Sequence, residues 1–181
     1  MQHTFLLVAV LAVFSSGHEP DTLFYDDFTI PGMHDCQMGD NWSYGGYGNI
    51  GMAWSGSTNM GQLLECTDTL VSPPVYIPPE ADSLELVVSL MIDAYAVAYG
   101  GGGMHTHEEI YSIQNNGDSL EIWDYYQSND YTLDVYYEDT VTVSVPPREF
   151  STSEDSMELL FTGEIHCQPF GYDAIASFQY R

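Results

Sequence analysis

The chain contains no lysine. Apart from histidine its only cationic side chains are Arg148 and Arg181, against 27 acids, and the formal net charge is −25 over 181 residues. That balance excludes a protein that grips a phosphate backbone, because such a protein needs a basic footprint. It also argues against anionic membranes and sulfated glycans as partners. Cysteine is scarce: Cys36, Cys66 and Cys167, with no two at the close spacing that zinc clusters use. In an exported chain three cysteines imply one disulfide and one thiol left over, and on number alone all three pairings stay open. No apolar stripe at helical i, i+3, i+4 spacing runs for a useful length. Long apolar runs are missing too, apart from Phe5 to Phe14 (FLLVAVLAVF). That run is too short to cross a bilayer and has the length of a signal-peptide core. Small residues for cleavage follow at Ser15-Ser16-Gly17, although Met1 to Thr4 carries no Lys or Arg. The expectation is a secretory signal over residues 1–17 and a single domain over 18–181, placed outside the cell, on its surface or in a periplasm.

What is present reads as β-structure. Leu84, Leu86, Val88, Leu90 and Ile92 alternate with Glu85, Val87, Ser89 and Met91, and the same face continues as Ala94, Ala96 and Ala98. Period two of this kind marks a strand with one face on a core. The preceding Pro73-Pro74 and Pro78-Pro79 bar both a helix and a central ladder position, so that segment is an extended edge. Gly100 to Gly103 breaks the long strand. Residues 107–114 and 119–126 flank Asn115-Asn116-Gly117-Asp118, a hairpin signal. Further strands are expected at Leu23 to Ile30, around Ile50-Met52-Trp54, at Gln62 to Cys66, around Leu133 and Val143, at Met157 to Phe161, and at Tyr172 to Tyr180. Trp42 to Gly48 reads as a loop. Eight or more strands without helices indicate an all-β fold, a two-sheet antiparallel β-sandwich.

The order of four motifs resembles the MAM-like jelly-roll modules of the choice-of-anchor J and cleaved-adhesin type in secreted bacterial proteins. The first is Tyr25-Asp26-Asp27-Phe28. A Gly/Trp-rich stretch with Trp42 and Trp54 follows, then Leu70-Val71-Ser72-Pro73 with Ser83-Leu84-Glu85-Leu86, and the chain closes on Tyr172-Asp173-Ala174-Ile175. The likeness covers about residues 22–181. It departs from the family's Asp-Gly-Gly-x-x-Trp hairpin, since this chain has Asn116-Gly117-Asp118 with Trp123 further on. The resemblance implies a jelly-roll sandwich of the concanavalin A-like, MAM-like class whose first and last strands share a sheet. In that arrangement Asp26 or Asp27 would approach Asp173 and hold Ca²⁺, whose hard oxygen preference suits them. The loops beside the same two strands would bring Cys36 to Cys167.

No complete catalytic set is visible. Glu121 and Asp124 come nearest to the paired carboxylates of a glycosidase, but three-residue spacing places them on opposite faces of a regular strand. His105, His107 and Glu109, if extended, share a face and offer a two-His-one-carboxylate set for a transition metal. The same segment resembles the first cupin motif, with Glu109 two residues early, and Gly163, Pro169 and Gly171 echo the second. Ala174 and Phe178 occupy the positions of that motif's His and Asn, so a metal-dependent cupin-like enzyme would lack its fourth ligand. The competing expectation is a polar, glycine-tethered loop whose histidines face water. For sugar recognition the candidates are Trp42, Tyr44 and Tyr47, spaced by small residues so that their rings can stack on a pyranose; the alternative is a core role for Trp42 and Trp54. The reading is a non-catalytic module for a glycan or a cell-surface partner, with calcium as a structural ion.

Overall fold

A computed structural model describes residues 9–14, 21–26, 37–45, 49–59, 61–78, 81, 83–114, 119–145, 156–170 and 173–180. Thirteen strands occur among them: β1 (Ala9–Phe14), β2 (Asp21–Asp26), β3 (Gln37–Met38), β4 (Trp42–Gly45), β5 (Asn49–Thr58), β6 (Leu64–Val71), β7 (Val75–Tyr76), β8 (Ser83–Ala98), β9 (Gly102–Gln114), β10 (Ser119–Asn129), β11 (Thr132–Val145), β12 (Ser156–Pro169) and β13 (Ala174–Tyr180). They form two antiparallel sheets, one ordered β2-β1-β8-β13-β5-β4 with β11 also on β8, the other β10-β9-β12-β6-β3 with β7 on β12. The two sheets pack face to face as a β-sandwich.

The period-two pattern in β8 does what it predicts. Leu84, Leu86, Val88, Leu90, Ile92, Ala94, Ala96 and Ala98 are all buried on one face. One edge of β8 pairs with β11 from Leu84 to Val97; the other pairs with β1 over Ser83 to Val88 and with β13 over Ile92 to Ala98. The facing sheet contributes Met104 and Ile110 from β9 and Met157, Leu159, Phe161 and Ile165 from β12. Gly100 and Gly101, both at positive φ, turn the chain from one sheet to the other between β8 and β9. Gly102 and Gly103 already belong to β9, so the break is shorter than the run of glycines.

Prolines 73 and 74 interrupt β6 from β7, and Ser72 repairs the ladder they spoil. Its backbone N–H donates to Leu159 O at 2.8 Å, while its hydroxyl oxygen accepts from Leu159 N–H at 2.9 Å. Residues 9–14, the core of the expected leader, form β1 between β2 and β8. Residues 42–45 are strand rather than loop, paired with β5 from Trp42–Met52 to Gly45–Asn49. The turn between β9 and β10 lies outside the described residues, but the antiparallel pairing that it joins runs from Ser119–Ile113 to Asn129–Met104.

Candidate functional site

The outer face of the second sheet gathers His105, His107 and His166 into register. On β9 the even-numbered residues Met104 to Ser112 point into the sandwich, so His105, His107, Glu109 and Tyr111 point out. On β12 the odd-numbered side chains are buried, which turns Thr162, Glu164 and His166 outward. The antiparallel register sets His105 opposite His166, His107 opposite Glu164, and Glu109 opposite Thr162. On the other flank β10 sets Ser128, Tyr126 and Asp124 opposite the same three β9 residues.

Specific contacts follow from this grid. His105 Nε2 lies 2.9 Å from Glu164 Oε1. The His105 and His166 rings stack with centroids 4.8 Å apart and planes 11° from parallel. Tyr126, 50% exposed, packs tilted against His105 at 5.3 Å and edge-on to His107 at 5.6 Å. His107 Nε2 reaches Glu109 Oε1 at 3.7 Å. Glu109 also accepts the Tyr111 hydroxyl and, at 3.3 Å, the Thr162 hydroxyl. The hydrogen bond to Glu109 stabilises the neutral Tyr111 phenol and, with burial and the charges of Glu109, Glu121 and Asp124, pushes its pKa up to about 12.

Glu121 and Asp124 lie on this same face, contrary to the sequence expectation. Glu121 pairs with Tyr111 and Trp123 with Ile110, so Ile122 is an extra residue, a β-bulge. The bulge absorbs one step of alternation, and Asp124 emerges beside Glu121 instead of behind it. Trp123 and Tyr125 turn inward and join Tyr137 of β11 in an aromatic cluster, Tyr125 and Tyr137 being 4.7 Å apart.

Beneath the face lies a buried acid. Glu108 is 1% exposed, and its Oε1 is 2.5 Å from Thr106 Oγ1, while Oε2 has no partner among the described residues. Burial pushes its carboxyl up to about 8; the Thr106 contact opposes this and the Glu164 charge reinforces it.

The other sequence candidates fall elsewhere. Trp42 is 5% exposed and belongs to the core cluster, so its ring is closed to a sugar. It is carried there by a turn that Asp68 holds, whereas Trp54 is only partly buried against the same core. Tyr44 lies on β4 opposite Ile50, and Tyr47 is outside the described residues. Of the residues expected to hold calcium, Asp26 and Asp173 lie far apart along the first sheet. Asp26 is level, through Ala9, with Val88 of β8, whereas the carbonyl of Asp173 accepts from Tyr99 N–H just past the far end of that strand. At about 3.3 Å per residue the stretch from Val88 to Tyr99 separates them by roughly 36 Å, an order of magnitude beyond a shared ion. The premise fails because β2 pairs with β1, and β13 with β5 and β8; Asp27 is outside the described residues. The Cys36–Cys167 bridge was expected from the same pairing. Cys167 is instead a free thiol facing the core from within β12, and Cys36 is outside the described residues. Cys66 is likewise free and buried, its thiol pushed up to about 11 by burial and by the charge of Asp68. His105, His107 and Glu109 do share a face, on a strand rather than a tethered loop.

Sequence reasoning missed Glu164, His166 and Tyr126. The available signal was the alternation Glu164-Ile165-His166, which mirrors His105-Thr106-His107.

Fold and site together define a two-sheet all-β sandwich with an open face of histidine, tyrosine and carboxylate side chains. No protein-family model matches the chain, and no curated protein matches it. Among solved structures it is similar to the enzymatically active domain of tailspike protein 4 of bacteriophage CBA120, at 8% identity and a TM-score of 0.22. That match covers 78% of this chain and 19% of the tailspike chain, so the chain spans about a fifth of its length. A likeness this slight carries no argument about function.

Proposed function

We propose that the protein is an exported, non-catalytic binding module that recognises a glycan or a cell-surface partner through the outer face of its β10-β9-β12-β6 sheet. The observation that carries this is the half-exposed Tyr126 ring standing against His105 and His107, with the Glu109 and Glu164 carboxylates in adjoining rows. An aromatic ring offers a stacking surface for the apolar face of a pyranose, and carboxylates accept hydrogen bonds from its hydroxyls. A net charge of −25 favours neutral or cationic ligands over anionic ones. The resemblance to MAM-like adhesion modules points the same way. A screen of the chain on a glycan array and against surface proteins tests it. Tyr126→Ala should weaken the ligand found by about tenfold, the size of a lost aromatic contact. A ligand indifferent to Tyr126→Ala, or turnover of a polysaccharide by the purified chain, would overturn the proposal.

A further inference from the structure

The cross-strand trio His105, Glu164 and His166 goes beyond a binding face. Each offers one donor atom, and these atoms all lie within 4.8 Å of one another. We infer that they form a site for a single borderline divalent transition metal, of which Zn²⁺ is the representative.

Three observations converge on this. The donor set is two imidazoles and one carboxylate, the ligand class of Zn²⁺, Cu²⁺ and Ni²⁺ rather than of calcium, which takes six to eight oxygens. The backbone fixes the geometry, because β9 and β12 pair without a register shift from Gln114–Met157 to Gly102–Pro169, with His105 directly opposite His166. His105 Nε2 and Glu164 Oε1 already meet at 2.9 Å, a contact in which a cation replaces a proton. Zinc bonds of about 2.0–2.2 Å place tetrahedral donors roughly 3.3 Å apart, so the trio closes by rotation of half-buried rings without moving the strands. The outer face is open above it, and the fourth coordination position falls to water or to a ligand oxygen.

His107 is the discriminating neighbour. It stands opposite Glu164, but its nitrogen is directed to Glu109 at 3.7 Å. The site therefore differs from a set of His105, His107 and Glu109, which lies along a single strand. It does not depend on the face being a glycan-binding surface.

The test is calorimetric titration of the chelator-stripped chain of residues 1–181 with ZnCl₂ in high NaCl, which screens diffuse attraction to the acidic surface. One Zn²⁺ should bind per chain. His105→Ala and His166→Ala should each weaken it more than about tenfold, and His107→Ala should leave it near wild type. In NMR spectra of the wild type, the ring signals of His105 and His166 should shift on adding Zn²⁺, a readout that needs no variant. Wild-type affinity in His166→Ala would overturn the inference, as would ring signals that stay in place. So would weak multi-site binding that NaCl abolishes, which would mark surface carboxylates. Loss in His107→Ala with retention in His166→Ala would move the metal to the single-strand set.

Discussion

The Thr106 hydroxyl and the Glu108 carboxyl, two residues apart on β9, face into the sandwich 2.5 Å from each other. Thr106 Oγ1 is also 3.1 Å from the backbone oxygen of Glu164, and a hydroxyl has only one hydrogen to give. An ionised Glu108 would therefore compete with the Glu164 carbonyl for that one hydrogen. Burial, the largest influence on this carboxyl, favours its neutral form in the folded state against the opposing Thr106 hydroxyl.

This predicts a pH dependence with a definite sign. The folded carboxyl titrates at about 8 against an ordinary value of 4.5. Its contribution is fully present below pH 4.5, declines as pH rises through that window, and is gone above about 8, because the unfolded chain ionises first. Glu108→Gln keeps a donor for Thr106 and cannot ionise. Its melting temperature should exceed that of the wild type by at least about 4 °C near pH 9 and converge with it near pH 4. Parallel pH profiles for the two proteins would refute the assignment.

A second prediction concerns the turn that carries Trp42 into the core. Asp68 accepts from Asn41 N at 2.6 Å, Asn41 Nδ2 at 2.9 Å and Thr69 N at 2.8 Å. A Cβ on Gly39 would sit 1.5 Å from Asp68 Oδ1, so Gly39→Ala must displace the same carboxylate. Asp68→Ala should cost about 2–3 kcal/mol in urea unfolding. The double variant with Gly39→Ala should cost little more than either change alone, since both remove one contact set. Additive costs would show that the turn is held by something else.

A third prediction separates two roles for Ala9–Phe14. In the chain of 181 residues it is β1, sole partner of β2 among the described residues and cover for the β8 edge from Ser83 to Val88. As the core of a leader it would be removed on export, and the two roles exclude each other. Mass spectrometry of the exported product should give a chain beginning near His18. Its melting temperature should then fall below that of the chain that keeps β1. An exported product that retains Met1 would rule out the leader.

What the sequence revealed tracks the range of the interactions involved. The β8 face was legible because alternation from Leu84 to Ala98 is local, and every step places a side chain on one face. His105, His107 and Glu109 were legible as one face for the same reason. Their partners were not, because Glu164 and His166 meet them only through a β9–β12 register set by the whole sandwich. Trp42 misled through its neighbours: Ser43 and Gly45 read as loop, yet pairing with β5 overrode that weak preference. The expected approaches of Asp26 to Asp173 and of Cys36 to Cys167 both rested on one strand pairing, β2 beside β13, that the sheet does not make.

The extra residue in β10 also bears on how the strand tolerates deletion. Ile122 has no position opposite it on β9, so the strand on either side is already in phase as though it were missing. Excising Ile122 should cost only what its partial burial contributes, and leave Glu121, Asp124 and Tyr126 outward and Trp123 and Tyr125 inward. Excising Trp123 cannot be as quiet, since the only way to restore phase is to spend the bulge and press Ile122 into the space of an indole. Ile122 is the spare link in β10, the place where the chain can be shortened by one residue and still display the same surface.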